Sequence, residues 1–184
     1  MHTMPLTIVD WGSVADWVSG IGSLAAVVVA LYVAVFSQRV KLRASCTLAS
    51  INAEASGEPI DVVCITVTNT SPRPTTVTNI FFSSGIWRWK RYYFVKFMRD
   101  KSTNLPALLS DSQIGYWYIP MRQENYWARE FVNKSGMTRF SVATLKVLII
   151  TSTGRETVIR PEKAFRDTLM ALVKEKKTAK ALAE

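Results

Sequence analysis

Residues Trp87–Arg99 (WRWKRYYFVKFMR) hold six aromatic side chains, Trp87, Trp89, Tyr92, Tyr93, Phe94 and Phe97, and five basic ones, Arg88, Lys90, Arg91, Lys96 and Arg99, with no acid. Rings beside cations suit three kinds of chemistry. Rings at headgroup depth with cations on anionic lipid suit a bilayer interface. Bases stacked on rings with phosphates on cations suit single-stranded nucleic acid. A long strand with a buried aromatic face and a solvated basic one needs no ligand at all. Trp87, Arg88, Trp89, Lys90 and Arg91 are the candidates for contact with a partner, lipid or nucleic acid. A further aromatic group, Tyr116-Trp117-Tyr118 with Tyr126-Trp127, adds rings of the kind enriched at protein interfaces.

Catalysis has little to work with. The only histidine is His2, so residues 39–184 contain no histidine-based acid–base pair or triad. The acids Glu54, Glu58, Asp61, Asp100, Asp111, Glu124, Glu130 and Glu156 are scattered without metal-ligand spacing, and no phosphate-cradling loop is present. Cys46 and Cys64 lie in strand-like stretches and read as free buried thiols; two Cys with one distant His do not make a zinc site. The chain therefore reads as non-enzymatic, with no metal and no cofactor.

The element that places this domain is the run Trp17–Phe36 (WVSGIGSLAAVVVALYVAVF), 20 residues without a charge. At about 1.5 Å rise per residue it spans roughly 30 Å, the thickness of a bilayer's hydrocarbon core. A secretory signal peptide is the competing reading, but the preceding segment has Asp10 and Asp16 and no Lys or Arg, and Phe36-Ser37-Gln38-Arg39 is a poor cleavage context. Ser13 and Asp16 have capping-box spacing, so the helix is expected from about Val14 to about Arg43. Arg39, Lys41 and Arg43 follow the run directly. The positive-inside rule then puts the N-terminus outside and the remainder in the cytoplasm, as a single-pass protein of a bacterial inner membrane. Gly22, Ala26, Ala30 and Ala34 recur every four residues, a small-residue ladder that lets helices approach closely. It suggests a homo-oligomer or docking on another membrane protein.

Residues 1–38 carry two acids and no Lys or Arg, so residues 39–184 carry 23 basic against 12 acidic side chains, a net charge of +11. Such a surface favours membrane lipid and, less strongly, nucleic acid. The organisation follows as an extracytoplasmic segment 1–16, a transmembrane helix 17–38, a β domain 39–160 and a C-terminal helix 161–184. Cys46–Ala53, Ile60–Thr68, Thr75–Ser83, Ile114–Ile119, Tyr126–Val132, Leu145–Thr151 and Glu156–Arg160 read as strands. Gly57-Glu58-Pro59, Asn69–Pro74 and Ser152–Arg155 read as turns. Antiparallel strands of this number suggest an immunoglobulin-like sandwich or a small barrel. Pro161 opens the last helix, where Phe165, Leu169, Leu172 and Val173 form an apolar stripe opposite Lys163, Arg166, Lys174, Lys176, Lys177 and Lys180. That helix either packs on the β domain or lies on the inner leaflet or a partner.

The stretches Asp16-Trp17-Val18-Ser19-Gly20-Ile21-Gly22 and Ala30-Leu31-Tyr32, with the turn residues Val67-Thr68-Asn69-Thr70, Arg73-Pro74, Val77-Thr78 and Thr151–Arg155, resemble a class of small bacterial and prophage single-pass membrane proteins. The resemblance covers most of the chain and carries no site. It implies an N-terminal helix, a cytoplasmic β-sandwich and a setting in phage exclusion, also termed superinfection exclusion, or in antiviral phage defence. The rival expectation is a structural accessory subunit of a larger membrane complex. A membrane-tethered single-stranded nucleic-acid binder is the third.

Overall fold

The computed structural model describes residues 13–37, 39–52, 59–121 and 126–182, with the side chains of Ser37, Trp87 and residues 180–182 outside that description. Two compact units result, one of residues 1–39 and one of residues 40–184.

The first unit is helix α1, Val14–Ser37, 24 residues long. Its cap forms as the spacing requires. The Asp16 amide donates to Ser13 Oγ at 3.3 Å and the Ser13 amide donates to Asp16 Oδ2 at 2.9 Å, satisfying two amides that the first turn leaves free. The helix is long and apolar enough to cross a membrane, by length and composition, over Val14–Phe36. No residue of that stretch is buried. The helix ends six residues before the expected Arg43. Beyond it the carbonyl of Val40 accepts from Arg155 Nη1 at 2.7 Å, and the carbonyl of Lys41 accepts from the amide and the hydroxyl of Thr70 at 2.9 and 3.0 Å. Acceptors that a continuing helix would use internally are committed to turns of the second unit, so the chain leaves Lys41 as a strand.

The second unit contains two antiparallel sheets. One has the order β1 (Leu42–Asn52), β2 (Pro59–Asn69), β6 (Ile114–Pro120). The other has the order β4 (Arg91–Phe94), β3 (Thr75–Ser84), β7 (Lys146–Thr151), β8 (Glu156–Ile159), and β5 (Ala107–Leu109) also pairs with β3. Alternation decides the faces. Val63, Ile65 and Val67 of β2, Val77, Ile80 and Phe82 of β3, Trp117 and Ile119 of β6, and Val147 and Ile149 of β7 meet in one buried cluster. Cys46 joins that cluster, and both cysteines are free and buried. Trp117 is fully buried and leaves no room at Gly115, where a Cβ would stand 2.4 Å from the indole.

Turn chemistry holds the strands in register. The buried Asn69 side chain donates to the carbonyls of Arg73 and Leu109 at 2.7 and 3.0 Å and accepts from the Ser71 amide at 3.0 Å. Gly154 takes φ +75° in the β7–β8 turn. The free edge of β6 is finished without a strand. The Tyr118 and Tyr116 carbonyls accept from the amides of Met98 and Thr103, and their amides donate to the hydroxyls of Ser102 and Thr103. Ala53 and the turn residues Gly57 and Glu58 lie outside the described residues, and Pro59 already belongs to β2.

The segment Tyr126–Val132 is not a strand. Helix α2 covers Tyr126–Ser135 and buries Ala128 and Val132 four residues apart, with Trp127 and Phe131 stacked at 4.9 Å beside them. The period of four outweighs the β preference of the rings. A short helix α3, Arg139–Ala143, follows, capped by Thr138 Oγ1 accepting from the Ser141 amide at 3.2 Å. Helix α4, Lys163–Leu182, packs on the β region through Phe165, Leu169, Leu172 and Val173, the stripe expected from its sequence. Phe165 meets Phe82 at 5.9 Å, and Lys176 Nζ donates to the Val132 and Asn133 carbonyls near the end of α2.

Candidate functional site

The register separates two ends of the second unit. At one end lie Val40 and Lys41, where the chain enters, with the turns around Asn69–Arg73, Ser110–Gln113 and Thr151–Arg155. At the other end lie Ser84, Arg91, Lys146 and Ile159. Strand β3 joins the two ends with ten residues, about 30 Å of extended chain.

The Trp87–Arg99 segment begins at the end opposite chain entrance, and it is not the long strand that its aromatic alternation allowed. Trp87–Trp89 form a single 3₁₀ turn, Arg91–Phe94 form the four-residue strand β4, and the chain is irregular from Val95 to Arg99. Gly85 makes the turn possible. Its φ is +97°, and a Cβ there would come within 2.2 Å of the Trp89 carbonyl oxygen. The Trp89 amide donates to the Ile86 carbonyl at 3.1 Å. The Gly85 amide donates to Thr144 Oγ1 at 2.9 Å, and that hydroxyl in turn donates to the Phe140 carbonyl at 2.9 Å.

This relay ties the 3₁₀ turn to helix α3 and collects residues from two distant stretches. Ile86, Arg88, Trp89, Lys90, Arg91, Arg139 and Phe140 are all exposed, Trp89 at 84%. Residues 84–99 and 139–143 contain no carboxylate, so every charged side chain in these two segments is a cation. Four of the five residues singled out from sequence, Arg88, Trp89, Lys90 and Arg91, are thus exposed together. Trp87 contributes backbone to the turn, and its side chain lies outside the described set. Arg139 and Phe140 were missed; the Thr138–Ser141 capping pair, which starts α3, was the signal that would have found them.

An apolar row, exposed at Phe94 and Val158, half-buried at Phe81 and buried at Leu148, runs around the edge. Phe94 opposes Phe81 on β3, Phe81 opposes Leu148 on β7, and Leu148 opposes Val158 on β8, so one row of apolar side chains crosses the outer face of four strands. Phe94 is 83% exposed, and Tyr92 meets Phe81 edge-on at 5.5 Å. Other rings of the segment are structural. Tyr93 points inward, with its ring 5.3 Å from Phe131 and its hydroxyl 3.1 Å from Ser84 Oγ. The second aromatic group also divides, because strand alternation buries Trp117 and helix packing half-buries Trp127 against Phe82, while Tyr116 and Tyr118 stack outside at 6.3 Å.

The remaining sequence candidates lie elsewhere. Gly22, Ala26, Ala30 and Ala34 are exposed along one i±4 ridge of α1, and a Cβ on Gly22 would meet nothing within 4 Å. The Arg39 guanidinium lies 4.1 Å from the Phe36 ring centroid. Lys41 and Arg43 are exposed where the chain enters the second unit, the end opposite the aromatic cluster.

Reactive groups are few. Burial pushes the Cys46 thiol up to about 12, helped by the neighbouring Cys64 and Glu162, so it stays protonated and inert at neutral pH. Burial and then Cys64 raise the Tyr118 phenol. A hydrogen bond from Lys134 to Glu130 raises that ammonium on the surface of α2. Among the described residues no group of three or more His, Cys, Asp or Glu is placed to hold a metal ion. An open groove of about 380 Å³ beside Lys96, Arg99, Thr103 and Leu105 brings no acid–base pair together. Comparison with protein-family models, with curated proteins and with solved structures returns no match to this chain.

Proposed function

We propose that this chain is a non-enzymatic, single-pass inner-membrane protein that holds a partner-binding β domain at the cytoplasmic face. The observation that carries the reading is α1: 23 apolar-rich residues, Val14–Phe36, none of them buried, with no Lys or Arg among residues 1–13 and Arg39, Lys41 and Arg43 directly after. An aqueous exposure of that much apolar side-chain area would be strongly unfavourable, whereas a bilayer removes the penalty. The basic flank puts the domain in the cytoplasm.

The β domain fits an immunoglobulin-like sandwich whose fourth strand sits beside the third, giving three- and five-stranded sheets with β5 as an added partner of β3. Its partner site is the cluster of Ile86, Arg88, Trp89, Lys90, Arg91, Arg139 and Phe140. A protein partner is favoured over lipid of the same leaflet, because the cluster is a strand length away from the point where the chain enters. Exposed Trp, Phe and Arg without carboxylates suit an acidic protein surface, with Trp89 and Phe140 as anchors. Nucleic acid uses the same groups, and salt-dependent binding of a single-stranded oligonucleotide would favour it instead. The biological setting proposed is phage exclusion or defence at the membrane.

The Gly22–Ala34 ridge gives α1 a face for self-association, since small residues allow the close backbone approach on which helix pairing in lipid depends. Replacing Gly22 and Ala26 with Leu tests it. The double variant is expected to lose the oligomer seen by cross-linking in membranes, and an unchanged oligomer sinks the self-association. The alternative, an accessory subunit docked on a larger complex, is favoured by the same open ridge. Purification at native abundance separates them: stoichiometric recovery with one membrane enzyme supports the accessory role, and recovery as a homo-oligomer supports the first.

A further inference from the structure

Three separate segments bring cations to the end of the β domain where the chain enters it. Lys41 and Arg43 flank Leu42, the first residue of β1, Arg73 lies in the β2–β3 turn and Arg155 in the β7–β8 turn, and all four are exposed. Hydrogen bonds lock these segments together. Thr70 bonds the Lys41 carbonyl, Arg155 Nη1 bonds the Val40 carbonyl, and Asn69 holds the Arg73 carbonyl. Among the described residues Asp111 and Glu156 are the carboxylates at this end, so these cations outnumber them two to one. Two exposed apolar side chains stand nearby, Leu108 opposite Thr76 and Ile114 opposite Thr68.

We infer that this end is a docking surface for anionic lipid headgroups, formed by Lys41, Arg43, Arg73 and Arg155, with Leu108 and Ile114 reaching the headgroup boundary. The inference rests on the anchored reading of α1. Chain length supplies the occupant: at about 3.5 Å per residue, the connection from Ser37 to Val40 reaches at most about 11 Å, so an anchored chain keeps this end near the bilayer surface. Charge supplies the lipid class, because clustered cations beside a spanning helix are drawn to an anionic leaflet and a guanidinium fits a phosphate bidentately. The sequence suggested only the contiguous Arg39, Lys41 and Arg43; the fold adds Arg73 and Arg155. The consequence is an oriented domain, lipid at one end and the Trp89–Phe140 cluster presented at the other.

The full chain reconstituted in nanodiscs of phosphatidylcholine, with and without phosphatidylglycerol, tests this by amide hydrogen exchange. Exchange in residues 70–74 and 152–155 is expected to slow on the order of fivefold or more when phosphatidylglycerol is present, and to recover at high salt. Arg73→Glu with Arg155→Glu should abolish the difference. Because Arg155 also bonds Val40, Lys41→Glu with Arg73→Glu serves as a second variant that leaves that bond intact. Arg88→Glu with Lys90→Glu, at the far end, should leave the difference in place. Equal exchange in both discs, with the chain resisting alkaline carbonate extraction, overturns the lipid surface alone. Extraction by carbonate overturns the anchored reading and the lipid surface with it.

Discussion

Helix α1 has 24 residues and helix α4 has 20; alanine, leucine, valine and rings make up most of α1, whereas α4 interleaves its apolar residues with lysines. They differ in where the polar residues fall. In α4 the apolar positions are Phe165, Leu169, Leu172 and Val173, one stripe, and the rest of the surface carries Lys163, Lys174, Lys176 and Lys177 in water. In α1 the apolar residues go all round and none of the described positions Val14–Phe36 is buried. A stripe is a helix written for one packed face; an apolar cylinder has no solvent-facing side. Amphipathic α4 therefore completes a protein core, while α1 has the length and composition to cross a membrane, and under the proposed reading a bilayer supplies its apolar surrounding.

Truncation should break the two helices differently, and here the largest effect is expected. Phe165→Ala removes a fully buried ring that meets Phe82, and should lower the stability of the full chain by about 3–5 kcal/mol. Urea unfolding in mild detergent, followed by tryptophan fluorescence including the buried Trp117, reads this. The matching change in α1, Leu24→Ala, should move the same transition by less than about 0.5 kcal/mol, because Leu24 is 67% exposed. An equal loss from both changes would mean that α1 belongs to the packed core.

A smaller effect sharpens the contrast from the side of α4 and its sheet. Glu162, just before α4, donates its amide to the Cys46 carbonyl at 2.9 Å, and the Cys46 thiol is held at about 12 against an unfolded value of 9.0. A raised acid is protonated in the folded chain where it would already be ionised unfolded. Its contribution is fully present below pH 9.0 and is lost as pH rises towards about 12. The slope for one thiol is about 1.4 kcal/mol per pH unit. Cys46→Ala should flatten that part of the alkaline stability curve relative to the parent chain; identical slopes would contradict it.

Local signals were strong enough to reveal much of the fold. The apolar run of α1, the β-branched stretches of β2, β3 and β7, the Asn69–Pro74 turn and the α4 stripe each depend on residues close in sequence. One boundary and one element type were misread, the boundary because distant groups decide it. Helix α1 stops where Thr70 and Arg155 claim the Lys41 and Val40 carbonyls, and those donors come from turns that no local pattern links to residue 40. Tyr126–Val132 reads as a strand by ring content, yet the burial of Ala128 and Val132 follows a helical period.

The candidate site was half legible for the same reason. Arg88–Arg91 stand out as a basic aromatic run, but Phe140 is brought to them by the β3–β7 pairing and the Gly85–Thr144 hydrogen bond, 59 residues apart in the chain. Arg73 and Arg155 likewise reach the Lys41 end through turn geometry. Sequence showed which residue types were available, and register showed that they divide between two opposite ends.

The membrane assignment of α1 is the central claim, and alkaline carbonate extraction of the full chain from bacterial membranes, with intact mass measured on the recovered protein, tests it most directly. The account predicts that the chain stays in the membrane pellet with residues 14–36 still attached. Recovery of the chain in the soluble fraction, or of a shortened chain cleaved after the apolar run, would contradict it.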